Sequence, residues 1–145
     1  MSDEDWDPAA DHEVTAGSAG AEAEAAEAQP QYDSLDAWMD DWFVRVVRRR
    51  VGRGGIVWCA QWWAHAEAAS RLGALWGAWE QAQIDLGSAP SQWWVWHFDA
   101  HWAVLTNPAG PFAACTADRH EPDADRLPSA PRSMQDTEAG DGEPL

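Results

Sequence analysis

Five residues in the middle of the chain have side chains suited to chemistry: Cys59, His65, His97, His101 and Cys115. His97 and His101 stand four apart, a spacing that on a helix sends both imidazoles from one face, as a two-histidine metal site requires. Thiolate and imidazole are ligands zinc takes readily, and two of each would close a tetrahedral shell. His65 or Asp99 would then serve as an alternative ligand or as a hydrogen-bonding partner of one. The spacing is not that of a compact zinc motif, because no CxxC occurs and Cys59, the paired histidines and Cys115 fall on separate segments. The same residues would equally suit a core in which free thiols and imidazoles sit among indoles. The sequence therefore assigns no cofactor, leaves zinc as the one candidate, and does not decide whether Cys59 and Cys115 meet.

Catalysis has less behind it. A Cys–His pair could act as nucleophile and base, yet nothing supplies an oxyanion hole or an orienting residue. The GRGG run at Gly52 lacks the lysine and the strand-to-helix setting of a phosphate loop. Glu67 and Glu80 sit beside aromatics on a helical pattern, which reads as capping or an ion pair with Arg71. The expectation is a protein that is not an enzyme.

Residues 45–55, RVVRRRVGRGG, carry Arg45, Arg48, Arg49, Arg50 and Arg53. Such a run could meet phosphates while surplus tryptophans stack on unpaired bases. Against this, Asp33, Asp36, Asp40 and Asp41 lie on the same predicted helix, where arginines in the last turns simply answer the dipole. Nucleic-acid binding stays open as an alternative.

The elements that would position these residues are helical. Ser34 is a good N-cap, Asp36 suits a first turn, and Leu35, Trp38, Met39, Trp42, Phe43, Val46 and Val47 follow helical spacing, predicting a helix over residues 35–51 ended by Gly52, Gly54 and Gly55. A second helical region starts near Ile56, breaks near His65 and Ala66, and continues through Ala69, Leu72, Leu75, Trp76 and Trp79. A third covers residues 91–105. Asn107, Pro108, Gly110 and Pro111 then make a turn that returns Phe112 and Cys115 to the core. No strand pattern appears, so the expected fold is all-α, a small Trp-rich bundle of three or four helices.

Charge sets the outer limits. Residues 1–30 hold nine acids and no base, residues 118–145 eight acids and three arginines, and residues 31–117 eight acids and six arginines, so most of the net −16 lies at the two ends. Those ends lack apolar stripes to offset the entropy of ordering. The expected organisation is a disordered acidic tail over 1–31, a domain over 32–117 and a second disordered acidic tail over 118–145. The acidic start is unlike a signal peptide and no apolar run is long enough for a span, which predicts a cytoplasmic protein with reduced cysteines and no membrane partner.

Several motifs together resemble one family. They are Tyr32, Leu35, Trp38 and Trp42; W-C-x-x-W-W-x-H from Trp58 to His65; R-L-x-x-L-W-x-A-W-E from Arg71 to Glu80; W-W-x-x-H-x-D-x-H from Trp93 to His101; and G-P-F-x-x-C from Gly110 to Cys115. This pattern, over residues 32–115, is similar to the uncharacterised actinobacterial family called domain of unknown function 4913. Ala66 and Trp102 depart from it, where the family has proline and leucine. The resemblance implies no established activity, and a genomic setting near plasmid or conjugative DNA-transfer genes.

Tryptophan supplies the remaining argument. Eleven of the twelve fall in the predicted domain, which at this size buries only about 60–65% of its chain surface. Each aromatic carries roughly 150–250 Å², so two or three left half exposed form a patch of the kind that marks an interface. Trp63, Trp94, Trp96 and Trp102 are the candidates, being neighbours of residues that already fill an inward stripe. The favoured expectation is a non-enzymatic interaction module that binds a protein partner or a second copy of itself, accessory to plasmid or mobile-element DNA transfer if the family setting applies. A small zinc-binding structural domain is the alternative beside nucleic-acid binding.

Overall fold

Ser34 begins the first helix as its type predicts: its Oγ accepts the Ala37 N–H at 3.1 Å, and its carbonyl accepts the Trp38 N–H. The computed structural model describes residues 28–133, so the expected disorder of residues 1–27 and 134–145 lies outside the described residues. Helix α1, residues 35–46, consists of helical turns Leu35–Trp38 and Val44–Val46 around a wider π-turn, Met39–Phe43. Helix α2, Ala66–Asp85, is the long central element. Helix α3, residues 89–105, again has a π-turn, Trp93–Phe98, between Ala89–Gln92 and Asp99–Leu105. No strand occurs among the described residues.

The core is set by helical spacing on α2, where Ala68, Leu72, Leu75, Trp79 and Ala82 recur at steps of four and three and are all buried. On α1 and α3 the buried aromatics are instead five apart: Trp38 with Phe43, and Trp93 with Phe98. Five residues would point away from each other in a regular α-helix; the i→i+5 bonding of a π-turn brings both to one face. Trp42 then stands among Trp38, Trp79 and Trp93, and Phe43 meets Phe98. The buried Trp93 indole donates to the Leu75 carbonyl at 2.9 Å, tying α3 to α2. The Glu80 carboxylate accepts from the backbone N–H groups of Gln31 and Tyr32 and from the Trp76 indole, which fixes the chain entering α1 against α2.

Two expected boundaries need correction. Helix α1 stops at Val46 rather than near residue 51; Val47 turns extended (φ −85°, ψ 98°), and Arg48–Arg50 lie outside regular structure. Paired β-branched valines followed by a glycine-rich turn, with Gly52, Gly54 and Gly55 all at positive φ, end the helix early. Likewise, residues 56–61 are not a short helix. They run as an irregular segment whose Val57 N–H donates to the Thr106 carbonyl, and only Trp62–Ala64 turns helically before the predicted break at His65.

The return after α3 is as expected. Asn107 accepts the Ala109 N–H through its side chain and the Gly110 N–H through its carbonyl. A Cβ at position 110 would collide with the Val104 and Asn107 carbonyl oxygens, so this turn needs its glycine. It delivers Phe112 and Cys115 into the buried core. Among the described residues no helix is long and apolar enough to cross a membrane.

Candidate metal centre

Three pieces of irregular chain converge at the N-terminus of α2. The segment after Val57 brings Cys59, the short turn before α2 brings His65, and the return after Gly110 brings Cys115. A fourth donor comes from residues beyond. Thr116 and Arg119 exchange backbone hydrogen bonds in a tight turn, and this swings His120 back against the cysteines.

Cys59 Sγ lies 3.3 Å from His120 Nδ1, and Cys115 Sγ lies 3.4 Å from His65 Nε2. One donor atom from each of the four falls within 4.8 Å of every other. Zinc–sulfur bonds near 2.3 Å and zinc–nitrogen bonds near 2.0–2.1 Å in a tetrahedron put ligand atoms about 3.3–3.8 Å apart. The two cysteine–histidine pairs at 3.3 and 3.4 Å already have that separation, and closing the whole set from within 4.8 Å onto one ion would make a tetrahedral Cys2His2 zinc site.

The surroundings suit a metal as well. Cys59 and His65 are 1% exposed and Cys115 6%, so little water competes for their donors. Burial pushes the Cys59 thiol up, a hydrogen bond from the Gln61 backbone works the other way, and Cys115 beside it raises it again. A cation among the four would reverse that balance and displace the proton. Glu121 meets Cys115 Sγ through its backbone, its N–H at 3.4 Å and its carbonyl oxygen at 3.5 Å, which ties this segment to the cluster. His65 turns Nδ1 to an Asp123 oxygen 2.5 Å away, which leaves Nε2 facing the cluster. This is the carboxylate–histidine arrangement that orients metal-bound imidazoles. The other Asp123 oxygen accepts the Ala66 N–H, capping the first turn of α2, where a negative charge is favoured. The hydrogen bond from His65 holds the Asp123 carboxyl below its usual range, against the opposing effect of burial and with help from the Ala66 N–H.

Of the residues the sequence singled out as metal ligands, Cys59, His65 and Cys115 meet, and His97 and His101 do not join them. The pair lies on α3 facing α2: His97 is exposed beside Gln81 and Asp85, and His101 accepts from Arg71 at 3.2 Å. Arg71 also binds Glu67, the ion pair expected along α2. Burial lowers the His101 pKa, with the charge of Arg71 and then His97 adding to the effect. Asp99 is exposed.

Composition places His120 and Asp123 in the second tail, and the structure moves both into the site. The signal that could have found them is a pattern of two similar pairs, since each cysteine is followed closely by a histidine, Cys59 by His65 and Cys115 by His120. Helical periodicity draws attention to His97 and His101 instead.

The other predicted contact residues divide. Trp63 and Trp96 are 58% and 66% exposed, whereas Trp94 and Trp102 are half-buried, packed on Phe98. Arg45, Arg48, Arg49, Arg50 and Arg53 are all exposed.

Residues 32–135 match a family described as Domain of unknown function (DUF4913). The chain belongs to that family. The match runs past Cys115 and takes in His120 and Asp123, the whole of the metal cluster and its supporting carboxylate. No curated protein and no solved structure is significantly similar to the chain.

Proposed function

We propose that this DUF4913 domain is a non-enzymatic, zinc-stabilised interaction module. The observation that carries the reading is the set of buried Cys59, His65 and Cys115 with half-buried His120, all within mutual reach of one cation. With all four positions of a tetrahedral ion taken by protein donors, none is left for substrate, which is the pattern of a structural rather than a catalytic zinc. The cavity beside Cys59 and His120 is about 70 Å³, well below the roughly 300 Å³ at which organic ligands are usually enclosed. The ion would clamp residues 115–123 onto the N-terminus of α2, joining segments otherwise held by a few polar contacts. A cytoplasmic location, where thiols stay reduced, would keep both cysteines available to the ion.

The interaction part of the reading rests on Trp63 and Trp96, large indoles left open on a domain whose other tryptophans are buried or half-buried. Their partner is a protein or a second copy of the domain, and an accessory role in plasmid or mobile-element DNA transfer is the setting the family suggests. The experiment is denaturation of the full chain with and without a zinc chelator, alongside sedimentation of wild type and a Trp63→Ser/Trp96→Ser variant. A chelator-sensitive melting temperature and an association abolished in the variant support the two parts separately. Unchanged melting removes the metal, and identical sedimentation and partner capture by the variant remove the tryptophan interface.

A further inference from the structure

Arg45, Arg48, Arg49, Arg50 and Arg53 are exposed, and among the described residues none is in an ion pair with a carboxylate. The end of α1 at Val46 changes how they read. Only Arg45 remains on the helix, its Nε 3.4 Å from the Asp40 carbonyl, so a helix dipole accounts for none of Arg48, Arg49, Arg50 or Arg53. These four ride on irregular chain and on the turn closed by Gly52 N–H to the Ile56 carbonyl. Arg49 donates to the Arg48 carbonyl at 2.9 Å, and guanidinium groups without carboxylate partners, concentrated on a short loop, attract anions and above all phosphate.

Next to this loop is a cavity of about 130 Å³, walled by Phe43, Val47, Val51, Trp58 and Trp102 with Arg49 on its rim. The Arg49 guanidinium stands 5.8 Å from the centre of the Trp102 ring, a cation–π interaction that holds one arginine at the mouth. The Trp58 and Trp102 ring centres lie 5.7 Å apart with the planes tilted by 30°, and both indoles are half-buried, so part of each reaches solvent.

We propose that this face binds single-stranded nucleic acid, with an unpaired base against the Trp58–Trp102 wall and the flanking phosphates on Arg48, Arg49, Arg50 and Arg53. A single strand offers flat bases beside phosphates, and this face sets two half-buried indoles beside a loop of four exposed arginines, one of them on the cavity rim. A duplex keeps its bases stacked inside and could use only the arginines. An acidic peptide offers charge without a ring of matching size. The net charge of −16, carried largely by the two chain ends, sets the strength: affinity is modest and falls steeply with salt. None of the cavity residues is a metal ligand, so the inference stands apart from the zinc reading.

The test is fluorescence anisotropy of a labelled oligothymidylate of roughly 12 nucleotides titrated with the full chain between about 20 mM and about 200 mM salt. A duplex of equal length and polyglutamate serve as competitors. The expected result is salt-sensitive binding of the single strand, displaced poorly by both competitors. Arg48→Ala/Arg50→Ala, both at exposed positions, should weaken it by about tenfold and flatten the salt slope by about 0.7 for each phosphate left without its arginine. Trp102→Phe should weaken it with the slope unchanged. No binding at low salt, equal binding of the duplex, displacement by polyglutamate at matched charge, or an arginine variant that binds like wild type would each overturn the proposal.

Discussion

His65 and Asp123 are joined across 58 positions of chain by a side-chain hydrogen bond, and through it the segment following Cys115 is fixed to the start of the longest helix. One carboxylate does two things there. It sets the His65 ring so that Nε2 faces the thiols, and it caps Ala66.

Asp123→Asn should therefore weaken zinc by roughly 10–100-fold, the usual effect of removing a carboxylate behind a metal-bound imidazole. Competition with a chromophoric chelator measures this directly. A substitution that lowers thermal stability but leaves zinc affinity unchanged would mean that Asp123 acts only as a helix cap.

Ending the chain after Ala117, where composition alone places the domain boundary, removes His120 and Asp123. The truncated protein should hold zinc far more weakly than one ending after Ser133, and should melt at a lower temperature. Equal affinity would show that the last ligand lies elsewhere.

His97→Ala and His101→Ala separate the sequence reading from the structural one. Neither side chain approaches the thiols, so both variants should keep full metal content, whereas His120→Ala should not. Elemental analysis of the three proteins decides between the two ligand sets.

How much of this the sequence could reveal differs by element. Helix α2 is legible because its buried residues keep a strict four-and-three spacing. Helices α1 and α3 are visible but their faces are blurred, since the π-turns pair Trp38 with Phe43 and Trp93 with Phe98 at a spacing that helical periodicity does not register. The metal cluster is half legible. Cys59, His65 and Cys115 stand out by type, but His120 lies among charged and small residues whose composition resembles a solvated tail. The order of that segment comes from a few polar contacts, such as Asp123 on His65, and not from apolar burial, which is the signal composition carries.

His101 gives a pH dependence of known sign. Its folded pKa lies below the ordinary 6.5, so the folded protein prefers the neutral ring that accepts from Arg71. That contribution is complete above 6.5 and is lost as pH falls from there through the lower folded value. Between about pH 7.5 and about pH 5.5, wild type should lose more melting temperature than His101→Gln. Acid release of metal affects both proteins alike, so the difference isolates the histidine. Equal losses would contradict the assignment.

The central claim is that four side chains on irregular chain hold one ion, and metal content tests it most directly. The full chain, expressed in zinc-replete medium and purified without a histidine tag, should carry about one zinc per molecule by elemental mass spectrometry. Cys59→Ser/His120→Ala should carry almost none. A wild-type protein that arrives without metal and takes up none on titration with zinc would contradict the account, and would return Cys59, His65, Cys115 and His120 to the role of packed core residues.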